Sequence, residues 1–169
     1  MPADWSRPVD VERLADAGET REFDVPLREL PRLAPALAVD NGSAHCRIVF
    51  ARERGAPTAA VAVQAKLGLR CERCLRPVWL DVDDESRVWL VTDPAQGDDL
   101  DPGIEPTLAP QGRIALRDLA EEELLLALPL VPRHELASEC GVATDDGAEE
   151  EVLQKPFAGL GELLKRSPD

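Results

Sequence analysis

Residues 43–71 constrain the fold of this chain more than any other stretch of the sequence. Two runs in it, residues 43–53 and 58–71, alternate between apolar and polar side chains, and a Gly-Ala-Pro turn separates them. The apolar positions of the first run are Cys46, Ile48 and Phe50. Alternation with a period of two is typical of strands that bury one face, and so short a connection is typical of a hairpin. We therefore predict an antiparallel hairpin here.

The alternation continues in two further runs, residues 77–82 and 86–92, which three acidic residues separate. Helical periodicity predicts helices at residues 8–17, 114–128 and 154–166. These helices do not alternate regularly with the strands, which argues against a parallel α/β sheet. The expected fold class is α+β, with an antiparallel and curved β-meander packed with a few helices.

The domain organisation follows from length and local composition. A chain of 169 residues suffices for one domain, which we expect to span residues 1–169. Residues 93–112 hold four prolines and three glycines among five acids, which predicts a mobile acidic loop, and residues 141–151 form a second acidic segment. Because no apolar run is long enough for a membrane span and the first residues lack a secretory signal, we expect a cytoplasmic protein.

The charge balance limits the partners that the chain can bind. It has 33 acidic and 19 basic residues, a formal net charge of −14. Of these, 18 acidic and seven basic residues lie in the second half, residues 86–169. A protein that holds a nucleic acid over a broad face is usually basic, so that class is disfavoured. A basic protein partner or a local RNA contact remains open, and so does a purely solubilising role for the acids.

Four cysteines include one CxxC motif, Cys71 and Cys74. Two thiolates at this spacing in a turn can bind one zinc ion at ~2.3 Å each. His134 and Cys140, which follow the acidic helix, are available as further ligands. The candidate is a Cys₃His zinc site that joins the sheet to the C-terminal half, with Cys46 as the alternative to His134.

Two other interpretations of the cysteines stay open. A redox dithiol normally lies at the start of a helix in a βαβ unit, whereas this CxxC lies in a β-meander, although nearby arginines would lower its thiol pKa. Alternatively, the cysteines are inert small residues of the core and turns. Disulfides are rare in a reducing cytoplasm, so a disulfide between these cysteines is disfavoured.

A cluster of basic residues surrounds the CxxC motif. Its members are Lys66, Arg70, Arg73 and Arg76. On an acidic protein such a cluster is a candidate for local contact with RNA phosphates. The alternative is a solvated strand face whose charges pair with nearby acids.

The sequence offers little for catalysis. It lacks a glycine-rich phosphate loop and a GxSxG motif, and it has only two histidines. The acidic run Glu121–Glu123 lies near the start of a predicted helix, where dipole compensation and solubility explain it better than catalysis does. We therefore expect a protein that is not an enzyme and has no small-molecule substrate.

Three segments match a known family in order and content. They are residues 70–77 (RCERCLRP), residues 114–134 (IALRDLAEEELLLALPLVPRH) and residues 154–157 (QKPF) with the leucines that follow. The combination resembles the YceD family, the large ribosomal RNA subunit accumulation proteins of bacteria and plant organelles. The resemblance runs from about residue 43 to 166.

The resemblance implies a non-catalytic factor needed for normal amounts of 23S ribosomal RNA and for assembly of the large (50S) subunit. The implied partners are a large-subunit precursor, a basic ribosomal protein or 23S rRNA. The positions shared with the family include Cys71, Cys74, His134 and Cys140, but their metal binding is inferred from the residues alone. The rivals are a cytoplasmic CxxC thiol–disulfide oxidoreductase and a zinc-stapled interaction module unrelated to ribosomes.

Overall fold

Strands dominate the described part of the chain, residues 4–99, 101 and 103–141 of a computed structural model. The strands are β1 (Pro8–Asp10), β2 (Thr20–Pro26), β3 (Leu37–Val39), β4 (Ser43–Glu53), β5 (Ala56–Arg70), β6 (Pro77–Val91), β7 (Glu105–Leu108) and β8 (Arg113–Ala115). The α-helices are α1 (Val11–Ala17) and α2 (Leu116–Leu126). Short 3₁₀ helices lie at Asp4–Ser6, Leu27–Glu29, Ala34–Ala36, Pro94–Asp99, Pro110–Gly112 and Ala137–Cys140.

Strands β4, β5 and β6 form a meander of consecutive antiparallel pairs. Phe50 of β4 lies opposite Ala59 of β5, and the β5–β6 ladder continues from Thr58 opposite Trp89 to Arg70 opposite Pro77. The apolar–polar alternation that predicted β4 matches the burial of its side chains, because the even-numbered residues from Ala44 to Phe50 are buried. The predicted α+β class with an antiparallel meander is confirmed, while its curvature stays a prediction.

The meander is the centre of a six-stranded sheet with the order β2-β4-β5-β6-β7. Strand β2 pairs antiparallel with β4, and β3 pairs with the end of β5 that β4 does not reach. Strand β7 pairs with β6 in parallel, so the sheet is mixed at this edge. The separate pair of β1 and β8 joins the N-terminal residues to the start of α2.

Strand β6 is continuous, whereas the sequence predicted two strands separated by acidic residues. Asp83 and Asp84 stay in the ladder, opposite Gln64 and Val63 of β5. Both aspartates are exposed, and the Gln64 amide donates a hydrogen bond to the Asp83 carboxylate at 3.2 Å. Because ladder pairing uses only backbone groups, exposed acids do not interrupt the strand.

Residues 93–112, predicted as a loop, contain regular structure. They include the 3₁₀ helix Pro94–Asp99 and strand β7, and the N–H of Ala109 donates to the carbonyl of Val91 at 2.7 Å. Ala109 is fully buried. The segment therefore packs on the sheet at several points, and the predicted mobility stays a prediction.

The two α-helices pack on the meander. Helix α1 begins after Asp10, whose carboxylate accepts a hydrogen bond from the N–H of Arg13, and ends at Gly18 in the left-handed conformation. It is three residues shorter than predicted because Pro8–Asp10 pairs as β1. Helix α2 lies against β5 and β6 and buries Leu116, Leu119 and Leu124.

The acidic run of α2 is not the solvated face that the sequence suggested. Glu121 and Glu123 are 1% and 5% exposed. The Glu121 carboxylate accepts hydrogen bonds from the N–H groups of Arg32 (2.6 Å) and Leu33 (3.0 Å). Glu123 accepts one from the Ser86 hydroxyl, and burial raises the pKa of its carboxyl. These acids therefore join α2 to a loop and to β6.

Two predictions lie outside the described residues. These are the acidic segment 141–151, apart from Gly141, and the helix at residues 154–166. Within the residues that the structure describes, no helix is both long and apolar enough to cross a membrane.

Candidate metal centre

Cys71 and Cys74 lie in the turn that joins β5 to β6. The N–H of Cys71 donates to the carbonyl of Arg76 at 3.0 Å, and the N–H of Leu75 donates to the carbonyl of Cys71 at 2.8 Å. Leu75 adopts the left-handed conformation, with φ of 62°. The hairpin thus closes through a tight loop that brings the two thiols close together.

The other two potential ligands belong to the segment that follows α2. The carbonyl of Pro132 in this segment accepts a hydrogen bond from the N–H of Glu72 at 2.9 Å. The Arg76 guanidinium donates to the carbonyl of Glu139 at 2.5 Å. The 3₁₀ helix Ala137–Cys140 then ends the segment with a buried thiol. One backbone hydrogen bond and one bond from an arginine side chain therefore hold this segment against the CxxC turn.

The ligand atoms form a compact group. Those of Cys71, Cys74, His134 and Cys140 all lie within 4.8 Å of one another. The sulfurs of Cys71 and Cys140 are 3.9 Å apart, and Nδ1 of His134 lies 3.6 Å from the sulfurs of Cys74 and Cys140. In a tetrahedral zinc site the corresponding edges are about 3.8 Å between sulfurs and about 3.6 Å from sulfur to nitrogen. The four groups therefore fit around one tetrahedral cation.

The surroundings of His134 select the tautomer that a metal needs. Its Nε2 lies 3.1 Å from the carbonyl oxygen of Pro77. A carbonyl only accepts, so Nε2 carries the proton and Nδ1 presents its lone pair to the thiols. Metal-binding histidines characteristically donate their other ring N–H to such an acceptor.

The thiol pKa values differ within the cluster. Burial favours the neutral thiol of Cys71, but hydrogen bonds from backbone N–H groups, that of His134 foremost, outweigh it and lower the pKa of Cys71 to about 5. Burial raises the pKa of Cys140, and the neighbouring thiols of Cys74 and Cys71 raise it further. The cluster therefore holds one thiolate near neutral pH and would hold the others with a cation among them.

Cys46 is not part of this cluster. It lies on the inner face of β4, opposite Phe23 and Val63, and is fully buried in the core. Burial raises the pKa of its thiol to about 12, so it stays protonated. Because the parity of β4 turns Cys46 into the core, the structure brings His134, and not Cys46, together with the other three groups.

Two of the four predicted RNA-contact residues lie on β5. Lys66 is exposed, with Nζ 3.7 Å from the Asp81 carboxylate and 5.9 Å from the centre of the Trp79 ring. Arg70 is exposed and donates to the carbonyl of Pro35 at 2.9 Å. Both head groups therefore remain accessible to a ligand.

The other two, Arg73 and Arg76, contact the second segment of the cluster. Arg73 lies 3.8 Å from the Cys140 sulfur through Nη1, and Arg76 bonds to the carbonyl of Glu139. These contacts support the cluster, a role that the sequence reasoning missed. Their position beside the CxxC motif was the one available signal.

The fold and the site together define a class of protein: an α+β chain whose open sheet is joined to its C-terminal part by a Cys₃His cluster that could bind a metal. Residues 59–164 match the family described as Large ribosomal RNA subunit accumulation protein YceD. The chain belongs to the YceD family.

A curated relative agrees with this assignment. The chain is 35% identical over 111 residues to the Large ribosomal RNA subunit accumulation protein YceD of Haemophilus influenzae. The match covers 62% of this chain and 63% of the relative, so the chain spans less than two thirds of that protein's length. No solved structure matches the chain.

Proposed function

We propose that this chain is a non-catalytic factor needed for normal accumulation of 23S rRNA, acting in large-subunit assembly in the cytoplasm. The match to the YceD family over residues 59–164 is the observation that carries the proposal. The Haemophilus influenzae relative is named for large ribosomal RNA subunit accumulation, and neither description names a reaction. Expression of this chain should restore 23S rRNA levels in a bacterial strain that lacks its own family member; unchanged levels despite normal expression would contradict it.

Zinc is the ion that we assign to the Cys₃His cluster. Three thiolates and one imidazole are soft to intermediate donors in a closed tetrahedral arrangement, which is typical of structural zinc. The ion would join the β5–β6 turn to residues 132–140, two segments that are already joined by the Glu72–Pro132 backbone hydrogen bond and by the bond from the Arg76 side chain to Glu139. Its role is to stabilise this junction.

Metal content tests the zinc site directly. The full chain, purified without a metal-affinity tag or chelator, should hold about one zinc with the cluster thiols protected from titration. The Cys140→Ser variant should lose the metal, and the matched Cys46→Ser variant should keep it. No metal in the wild type, or equal loss in both variants, would refute this site.

The partner that we propose is a basic protein of the large subunit, bound by the acidic surface of this chain. Asp81, Asp83 and Glu85 project from one exposed face of β6. Negative charge attracts basic proteins and repels an RNA backbone. Contact with 23S rRNA is then confined to the basic cluster, Lys66, Arg70, Arg73 and Arg76.

Charge reversal separates the two contacts. Since Arg73 and Arg76 also hold the metal cluster together, the RNA contact is best tested with a Lys66→Glu/Arg70→Glu variant. It should co-sediment less with large-subunit precursor particles than the control Arg13→Glu/Arg87→Glu, which reverses two exposed arginines elsewhere. Equal co-sedimentation of the two variants would contradict the RNA contact.

Replacing Asp81, Asp83 and Glu85 by lysine should weaken binding to the basic protein and make that binding less dependent on salt.

One observation favours a second candidate, a thiol–disulfide oxidoreductase. The pKa of Cys71 is lowered to about 5, as in reactive thiols. Against it, the Cys71 side chain is fully buried and the motif lies in a hairpin turn. A metal-free protein with freely titrating thiols that form a reversible disulfide would favour the oxidoreductase.

A further inference from the structure

The first part of strand β6 leaves one of its two edges unpaired. Its ladder with β5 extends from Pro77 to Trp89. On the other side β7 pairs only with the last four residues of β6, beginning at Val88, and no further strand of the described residues pairs there. Residues 77–87 therefore border no strand on that side. An unpaired strand edge is a ready template for a strand from another chain.

Ladder geometry decides which backbone groups face this open edge. The N–H of Cys71 donates to the carbonyl of Arg76, so these two opposed residues form a hydrogen-bonded pair. In an antiparallel ladder such pairs alternate with pairs whose backbone groups point away from each other. The even-numbered residues of β6 therefore bond to β5, and the odd-numbered residues turn their N–H and C=O groups outward. The carbonyls of Pro77 and Val91 agree with this assignment, because each accepts a hydrogen bond from a segment other than β5.

The outward backbone groups in the middle of this edge are available for pairing. Those of Trp79, Asp81 and Asp83 meet no partner strand in the described part of the chain. The N–H of Glu85 turns to the carboxylate of its neighbour Asp84, at 2.9 Å. The edge thus offers a regular row of donors and acceptors that ends where Asp84 occupies one donor.

Carboxylates line the same edge. Asp81, Asp83, Asp84 and Glu85 are all exposed, and Lys66, 3.7 Å from Asp81, is the one basic residue that forms an ion pair with any of them in the residues described. Any charge would guard an open edge against aggregation. Acids in addition repel a second copy of the same edge and attract a basic chain.

We propose that an extended segment of a basic protein adds to the open edge of β6 as a further strand. This inference rests on the proposed function, in which a basic large-subunit protein binds the acidic surface, and it specifies how that protein binds. Because the side chains of a strand alternate, every second side chain of the segment lies on the face that carries Asp81 and Asp83. The exposed ring of Trp79 lies on that face as well and takes the stem of a lysine or arginine. The partner segment therefore has a basic residue at every second position.

Strand β2, the opposite edge of the sheet, is less suited to such a segment. It carries Glu22 and Asp24, but the ring nitrogens of His45 on β4 already lie 3.2 Å and 3.1 Å from their carboxylates. The β2 edge therefore serves as an internal comparison for the β6 edge.

Hydrogen exchange of the full chain with a probe peptide tests for the added strand. The probe is a capped peptide in which lysine alternates with threonine over about nine residues, enough to cover the open edge. In the free protein, amides of Asp81 and Asp83 should exchange fast and those of Leu80 and Val82 slowly, since only the latter bond to β5. Saturating probe should slow Asp81 and Asp83 by about tenfold or more and leave β2 unchanged. No binding, binding without this protection, or protection already present in the free protein would overturn the proposal.

N-methylation of the probe separates backbone pairing from charge attraction. One peptide is methylated at the backbone nitrogens of two central lysines and another at those of two central threonines, so both keep their charges. Only every second N–H of an added strand faces β6, so one of the two peptides should bind roughly tenfold more weakly and the other like the unmethylated probe. Equal affinities would mean docking by charge alone, which overturns the added strand and leaves the basic partner in place.

Matched variants locate the site. Asp83→Asn/Glu85→Gln should bind the unmethylated probe roughly fivefold more weakly than the wild type. The control Asp24→Asn/Glu22→Gln makes the same two chemical changes on β2 and should bind as the wild type does. Equal affinities of the two variants would overturn the assignment to β6. These measurements use purified protein and peptide, so their failure is separate from a failure to restore 23S rRNA levels.

Discussion

Substitution of Glu121 by alanine should destabilise the protein far more than the same substitution at Glu122. The Glu121 carboxylate is buried and accepts hydrogen bonds from the backbone of Arg32 and Leu33. Removing it leaves two donors without an acceptor, and the one at Leu33 is buried. An unsatisfied buried donor costs roughly 1–3 kcal/mol and a half-buried one less, so we expect a total of about 2–4 kcal/mol.

Glu122 provides the matched control, because it has the same side chain one position along the same helix. Its carboxylate pairs with the Arg32 guanidinium at 2.5 Å, but the two side chains are 43% and 56% exposed. Exposed ion pairs contribute at most about 1 kcal/mol. Glu122→Ala should therefore cost less than about 1 kcal/mol.

Equilibrium unfolding in urea measures the difference. With a urea dependence of about 2 kcal/mol per molar, Glu121→Ala should lower the midpoint by roughly 1–2 M and Glu122→Ala by less than about 0.5 M. Glu121→Gln, whose amide oxygen still accepts, should fall between them. Equal costs for the two alanine variants would refute the role of Glu121 as the acceptor that holds this loop.

Three further predictions concern stability. If zinc is present at about 100 times its dissociation constant from the cluster, chelation should lower the Tm of the wild type by roughly 10 °C. The Tm of Cys140→Ser should hardly change, and equal shifts in the two proteins would argue against a structural metal. Burial raises the pKa of the Glu123 carboxyl above its ordinary value of 4.5. The protonated group therefore favours the folded state at low pH, and this contribution to the free energy of unfolding is lost as the pH rises from about 4.5 through the folded-state pKa. Glu123→Gln should therefore gain Tm relative to the wild type between pH 4 and pH 7, and a difference that stays flat with pH would contradict the burial penalty. Leu75 is 68% exposed and has a φ of 62°, a conformation that glycine adopts more easily than other residues. In urea unfolding, Leu75→Gly should therefore be more stable than Leu75→Ala by roughly 0.5–1 kcal/mol. Equal stability of the two variants would mean that the turn is unstrained.

The sequence predicted the meander well because local patterns determine it. Strand β4 has the predicted bounds, since its alternation ends at a glycine turn. Strand β7 was missed because it is four residues long, contains Pro106 and pairs with β6 in parallel at a distance in the chain. The break predicted in β6 was wrong because acids on an exposed face leave the backbone ladder intact.

For the candidate site and for the contacts of α2 as well, local features could be predicted from the sequence, whereas features that depend on distant segments could not. The spacing of Cys71 and Cys74 is local and predicted a shared turn. The burial of Glu121 could not be predicted, since it depends on where the loop at Arg32 lies relative to α2. The exclusion of Cys46 from the cluster likewise depends on which face of β4 meets the core.

The two halves of the Cys₃His cluster are far apart in the chain, with His134 60 residues beyond Cys74. During synthesis the CxxC turn therefore leaves the ribosome well before its partner ligands have been translated. The β4–β5–β6 hairpins can pair at that stage, but a closed tetrahedral site cannot form. If the cluster binds a metal, its full set of four ligands is available only after Cys140 has emerged. A chain interrupted earlier would expose thiols to exchange and oxidation, which distinguishes it chemically from the finished protein.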